Sequence, residues 1–281
     1  MPAGADAFHR LAHELMSGRQ GNRDGKRGRT DAGRTGEFSA ELSQERIGLG
    51  ERDMVLVHPV TSAPERVLYA LDGNAALSML KPDWLAARPG LALVLIGYAG
   101  ASRFHLEHRS RDYTPPPPLE WDGGVRLALE RPHGGAADFL AFLTQDLMPQ
   151  AEARFGLVAP SRALWGHSYG GLFALWMLTR SGHGVSLLHA ASPSLWWGDY
   201  ALEHHLVDNE PLAGGVRALD LSMGDSEVSR NGEVLTTPER LERLAARLEG
   251  RQGLRVHTQI FPGASHGDTF ALSLAEAIAR S

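Results

Sequence analysis

Residues 91–98 read Leu-Ala-Leu-Val-Leu-Ile-Gly-Tyr, a run with no charged side chain. Its strictly apolar part, 91–96, is far shorter than the roughly 18 residues a membrane helix needs. It also lacks the in-out alternation of a half-exposed strand. Such a run reads as a strand covered on both faces, and a strand of that kind needs helices above and below it. The rest of the chain supplies both. Short β-rich runs occur at 54–58, 66–71, 163–165, 185–190, 219–223 and 254–261, with a weaker candidate over 37–50. Helical patterns fall at 75–80, 137–155, 171–179, 238–250 and 269–279, and His204 and His205 lie in a further helix. Residues 99–136, with the prolines of 115–118 and two Gly-Gly pairs, read as loop. Strands alternating with helices predict an α/β fold: a twisted, mostly parallel central sheet with helices on both faces.

Composition narrows the function. The 281 residues carry 28 Lys plus Arg against 33 Asp plus Glu, a formal charge of -5, so no basic surface for nucleic acid is expected. There is no cysteine, which excludes disulfides, thiolate metal sites and cysteine nucleophiles. His9 with His13 and His105 with His108 are spaced like ligand pairs but lack a third partner, so neither a metal nor a cofactor is expected. The first 20 residues hold no apolar core after a basic start. The chain therefore reads as non-membrane and cytoplasmic, or periplasmic if a leader has been trimmed. Residues 1–36 read as an arm, with a short helix over 8–16. The segment 17–36, with six glycines and six basic residues, is a flexible linker or a basic tail for an anionic partner. Residues 37–281 form the folded domain. Nothing sets an oligomeric state.

Gly166-His167-Ser168-Tyr169-Gly170 matches G-x-S-x-G between a strand and a helix. A serine at a sharp strand-to-helix turn is held in strained backbone, beside the positive end of the helix. Glycines two before and two after it leave room for close packing. Gly263-Ala264-Ser265-His266-Gly267 matches the same pattern. Chain order separates the two: on an α/β-hydrolase scaffold the nucleophile precedes the acid and the acid precedes the histidine. Only Ser168 leaves room for both. The backbone N–H of Tyr169 then faces a developing oxyanion, and a second donor is expected from Gly73 or Asn74 in the turn Leu71-Asp72-Gly73-Asn74.

With 13 histidines in the chain, most are not catalytic. His189 and His257 lie inside strands, and His167 points away from the serine. His266 follows the last strand, where the base belongs. In Gly224-Asp225-Ser226-Glu227 the acid is Glu227 or, less well placed, Asp225; a Ser-His dyad with no acid also remains open. Arg103, Arg109 and Arg111 read as a cationic mouth favouring anionic or catecholate groups, or as solvated loop residues.

Five strings carry a resemblance: Leu71-Asp72-Gly73-Asn74; the segment from Gly97-Tyr98 through Arg109-Ser110-Arg111-Asp112-Tyr113-Thr114-Pro115; Trp165 through Gly171; Ser192-Pro193-Ser194-Leu195-Trp196-Trp197; and the Gly263 to Gly267 loop. Over residues 55–280 the chain resembles the Putative esterase family of α/β-hydrolases, most of all its siderophore-hydrolysing branch of ferric-enterobactin and salmochelin esterases. The resemblance implies ester hydrolysis through an acyl-enzyme on Ser168, with His266 as base and then acid. It places Arg111, with His167 and Trp196, in the substrate-binding set and a small-molecule ester in the site. The family also includes general carboxylesterases, feruloyl-type esterases and acyltransferases. A binding module that has lost activity is a further alternative.

Overall fold

The computed structural model describes residues 42–59, 63–117, 131–158, 160–208, 212–228, 232 and 234–281. The expected helix over 8–16 and the arm over 17–36 lie outside these residues. The described residues belong to one compact unit, Ser39–Ser281.

Eight strands form one sheet: β1 (Leu42–Leu49), β2 (Arg52–Pro59), β3 (Arg66–Ala70), β4 (Leu91–Tyr98), β5 (Ser161–His167), β6 (Leu187–Ala191), β7 (Ala218–Gly224) and β8 (Arg255–Phe261). Their order is β1-β2-β4-β3-β5-β6-β7-β8. All eight residues of β4 are buried, as its unbroken apolar run requires. After buried Leu42, β1 alternates partly buried and exposed positions, as an edge strand does. Pairing is parallel from β4 through β3 to β8, while β1–β2 and β2–β4 are antiparallel. The antiparallel pair has a simple cause. Only Gly50 and Glu51 join β1 to β2, and a parallel return needs a crossover of a dozen residues or more.

The helices are α1 (Gly73–Met79), α2 (Pro82–Ala86), α3 (Leu106–Tyr113), α4 (Ala136–Phe142), α5 (Met148–Phe155), α6 (Tyr169–Met177), α7 (Ala201–Asp208), α8 (Pro238–Leu248) and α9 (His266–Arg280). α3, α4 and α6 pack together in one layer, and α9 packs with α1 and α2 in another. Among the described residues no helix is long and apolar enough to cross a membrane.

Two expectations are corrected. The segment 99–136 holds a helix, α3, where a loop is expected. Its sequence Leu-Glu-His-Arg-Ser-Arg-Asp-Tyr has no apolar stripe, and it buries Arg109 and Asp112 through ion pairs instead. The long helix over 137–155 is interrupted by a π turn at Leu143–Leu147. Pro149 follows it and lacks the N–H that a regular helix would use, which a widened turn accommodates.

Candidate active site

The candidate residues come from five different strands and gather beyond the carboxyl ends of the parallel sheet. Backbone strain gathers there too. Of six described non-glycine residues with positive φ, Ser168 (61°) and Ser192 (41°) directly follow β5 and β6, and Asp72 (52°) follows β3 with Leu71 between. Each such residue costs about 1–3 kcal/mol, and the cost persists only where the surroundings fix it.

Ser168 caps α6 with φ 61° and ψ -115°, the sharp turn expected of a nucleophile elbow. Its N–H bonds the Ala191 carbonyl at 2.9 Å, which ties the ends of β5 and β6. A Cβ at Gly166 would lie 2.2 Å from the Gly170 carbonyl, and one at Gly171 2.6 Å from that of Ala191. These two positions demand glycine. Position 170 does not on this measure, since a Cβ there meets Leu71 at an ordinary 3.4 Å.

His266 is the first residue of α9, and its Nδ1 donates to Glu227 Oε2 at 2.7 Å. Glu227 Oε1 accepts from Ser192 Oγ at 2.5 Å, from the Gly224 N–H at 2.8 Å and from Thr269 Oγ1 at 3.0 Å. Burial pushes the Glu227 carboxyl up, but the bonds from His266, Ser192 and Gly224 outweigh it and hold the group below its ordinary range. Asp225 turns elsewhere, accepting from the Gly263 N–H at 2.7 Å and from Ser226 Oγ at 3.0 Å. The acid and histidine loops meet because Gly224 has no side chain. A Cβ there would stand 2.0 Å from the Ala264 carbonyl. Ser265, the serine of the second G-x-S-x-G match, is a helix cap: it forms a capping box with Asp268 at the start of α9.

Ser168 is half-buried, and the His266 side chain keeps 44% of its exposure, so solvent reaches both. Among the described residues Ser168 Oγ makes no hydrogen bond to His266; its partner is Ser194 Oγ at 3.3 Å. Such bonds are often loose in unliganded sites and tighten with substrate. His167 fixes the distance between the two segments. Its Nε2 donates to the His266 carbonyl at 3.0 Å, and its ring lies 4.5 Å from the His266 ring.

Gly73 and Asn74 open α1, where the first N–H groups have no partner within the helix. A Cβ at Gly73 would fall 2.7 Å from the Ile96 backbone. The Asn74 side chain is committed to β4: Nδ2 donates to the Tyr98 and Gly100 carbonyls, and Oδ1 accepts from the Tyr98 N–H. Only its backbone is left for an oxyanion.

Two substrate-side expectations change, those for Arg109 and His167. Arg109 is not at the mouth of a cleft. It is 8% exposed, paired to Asp72 through two bonds of 2.9 Å, and enclosed by the rings of Phe104, Tyr113 and Tyr169. Burial opposes its charge, and the Asp72 carboxylate more than restores it. Arg111 is bonded to Asp112 at 2.8 Å and to Glu51, so its guanidinium is already paired. His167 is buried, and burial, then the neighbouring His266 and Arg109, hold its imidazole well below the usual range. It supports His266 from inside and does not line a substrate site. Trp196 is half-buried, with its ring 5.8 Å from Tyr169. Arg103 is exposed.

The sequence reading passed over Ser192, Ser194 and Thr269, which bond to the acid or the nucleophile, and Tyr113, whose hydroxyl accepts the Asp72 N–H at 3.2 Å. Two of the four lie in the Ser192-Pro193-Ser194 string, and that string was the available signal.

A strained serine elbow on a largely parallel eight-stranded sheet, with a histidine opening the helix after the last strand, marks the α/β-hydrolase fold. The model of the Putative esterase family matches residues 55–280, and the chain belongs to that family. It is 30% identical over 228 residues to the apo-salmochelin esterase of Escherichia coli O6:H1 (strain CFT073), spanning 78% of this chain and 71% of that one. The solved structure of the enterobactin and salmochelin hydrolase IroE superposes with a TM-score of 0.68 at 28% identity, over 85% of this chain and 93% of that chain. The siderophore hydrolase EstA from Aspergillus nidulans shares the fold, with a TM-score of 0.71 at 22% identity over 90% of this chain and 97% of that chain.

Proposed function

We propose that Ser168 is the acyl-accepting nucleophile, His266 its base and Glu227 the acid that orients the histidine. The observation that carries this reading is the 2.7 Å bond from His266 Nδ1 to Glu227. With Nδ1–H held by a carboxylate, the lone pair of the ring is on Nε2, and Nε2 takes the Ser168 proton as Oγ bonds the ester carbon. The carbonyl oxygen becomes an oxyanion, received by the N–H of Tyr169 and that of Gly73 or Asn74. Collapse of the intermediate expels the alcohol, which leaves with the proton from His266. Water then repeats the sequence on the acyl-enzyme.

The substrate we infer is a siderophore of the lactone type, because similar proteins are named for salmochelin and enterobactin. Trp196 beside the elbow and exposed Phe104 near Arg109 offer aromatic faces to such a ligand. A panel pairing ferric trilactone siderophores with simple aryl and alkyl esters, with and without added alcohol acceptors, tests this. The reading predicts the highest kcat/KM on a trilactone, with water as acceptor, and no turnover by Ser168→Ala. Higher kcat/KM on simple esters makes the chain a general carboxylesterase, and diversion of product to the alcohol makes it an acyltransferase. No turnover of any ester by the unmodified chain leaves a binding module.

A further inference from the structure

The tripeptide Ser192-Pro193-Ser194 leaves β6 with Ser192 at φ 41° and sends its two hydroxyls to different members of the site. Ser192 Oγ donates to Glu227, and Ser194 Oγ meets Ser168 Oγ at 3.3 Å. The placement of Ser194 is tightly built. Its N–H donates to the Ser168 carbonyl at 3.2 Å, its carbonyl accepts from the Trp197 N–H at 3.1 Å, and the residue is 3% exposed. A buried hydroxyl is unfavourable unless it is hydrogen-bonded. Among the described residues, the partner of the Ser194 hydroxyl is the Ser168 side chain.

We propose that Ser194 is a further catalytic residue, whose hydroxyl donates a hydrogen bond to Ser168 Oγ throughout acyl transfer. This rests on the reading of Ser168 as nucleophile. The direction of the bond follows from the proton inventory. His266 uses Nδ1–H on Glu227, so Nε2 accepts the Ser168 proton. Ser168 Oγ is then left with lone pairs only, and Ser194 must be the donor. In acylation the Ser168 O–H bond breaks, its proton passes to His266 Nε2, and the Oγ–C bond forms. In deacylation the Oγ–C bond breaks and Oγ recovers a proton from His266. Ser194 keeps its own proton in both directions. The bond is long at rest and strengthens as charge builds on Oγ, so it stabilises the transition state more than the ground state.

The test compares the unmodified chain with Ser194→Ala and Ser194→Thr. The readouts are the rate of inactivation by an organophosphorus fluoridate, the steady-state constants on a nitrophenyl ester and the melting temperature. A hydrogen bond to a charging oxygen is worth about 10- to 100-fold in rate, so Ser194→Ala should slow inactivation and lower kcat by that factor, with KM and melting temperature little changed. Ser194→Thr, which keeps the donor, should recover most of the loss. Inactivation of Ser194→Ala at the unmodified rate overturns the proposal, and so does a Ser194→Thr chain that melts normally but reacts as slowly as the alanine variant. A crystal structure of the phosphorylated unmodified chain is an independent check that needs no variant. Ser194 Oγ within hydrogen-bond range of Ser168 Oγ supports the donor role, and separation of the two overturns it. An unmodified chain that takes no label at Ser168 instead refutes the nucleophile assignment, whatever Ser194 does.

Discussion

At the scale of single residues the site is a chain of donors converging on two atoms. Glu227 collects four hydrogen bonds, from His266, Ser192, Gly224 and Thr269, which is near the full capacity of a carboxylate. They hold it ionised and aimed. Glu227→Gln keeps the size but removes the charge, and offers an amide where two hydroxyls and an N–H now donate to one oxygen. The histidine then loses its fixed tautomer. We expect kcat to fall by about 100-fold or more, with KM nearly unchanged, in steady-state assays on a nitrophenyl ester. Asp225→Asn, which leaves the Glu227–His266 bond intact, should retain most of the activity. A larger loss in Asp225→Asn than in Glu227→Gln would reverse the assignment of the acid.

At the scale of elements, the ends of strands are brought together by missing side chains and by one buried ion pair. Gly224 lets the turn after β7 touch the loop after β8. Gly224→Ala forces those two apart by about an ångström or more and costs about 1–3 kcal/mol of stability. Because the displaced backbone carries the acid and the base, activity at a temperature where the variant is folded should fall at least 10-fold. Arg109 of α3 reaches across to Asp72, after β3, and its Nη2 also approaches the His167 carbonyl at 3.4 Å. Arg109→Met strands the Asp72 carboxylate in the interior, at a cost of about 3–5 kcal/mol. The double change Arg109→Met with Asp72→Asn removes the stranded charge, and urea denaturation should show it more stable than the single variant. Equal stability of the two would mean that the pair is not buried as described.

At the scale of the whole molecule, a second charge cluster ties β6 and β7 to the end of α9. Asp220 in β7 bonds Arg280 at 2.7 and 3.2 Å and lies 3.1 Å from His189 in β6. Burial raises its carboxyl, but His189 and Arg280 overcome this and hold it at about 2, against 3.8 ordinarily. A folded-state value below the unfolded one contributes stability above the unfolded value and loses it as pH falls toward the folded one. About 2 kcal/mol should therefore disappear between pH 3.8 and about 2. Melting curves of the unmodified chain should drop across that window, and those of Asp220→Asn should start lower and drop less. A variant whose acid melting profile matches the unmodified one would exclude this contribution.

How much of this could be read in the sequence depended on which force held each part. Elements held by apolar burial were legible, because β4 and the strands beside it show their burial as unbroken runs. The elbow and the histidine loop were legible because their glycines and their order along the chain are chemical requirements. α3 was not legible: its buried residues are Arg109, Ser110, Asp112 and Tyr113, and charge satisfied by pairing leaves no periodic apolar signal. For the same reason Arg109 read as an open cation when it is the partner of Asp72. The Ser192-Pro193-Ser194 string was visible but the roles of its two hydroxyls were not, because only the strained turn after β6 aims them.

The central claim is that Ser168, and not the equally well-patterned Ser265, is the reactive hydroxyl. Labelling with an organophosphorus fluoridate, followed by mass mapping of peptides, tests it directly. The account predicts one adduct per chain, on Ser168, absent from Ser168→Ala and formed far more slowly in His266→Ala. An adduct on Ser265, or one that persists in Ser168→Ala, would contradict it.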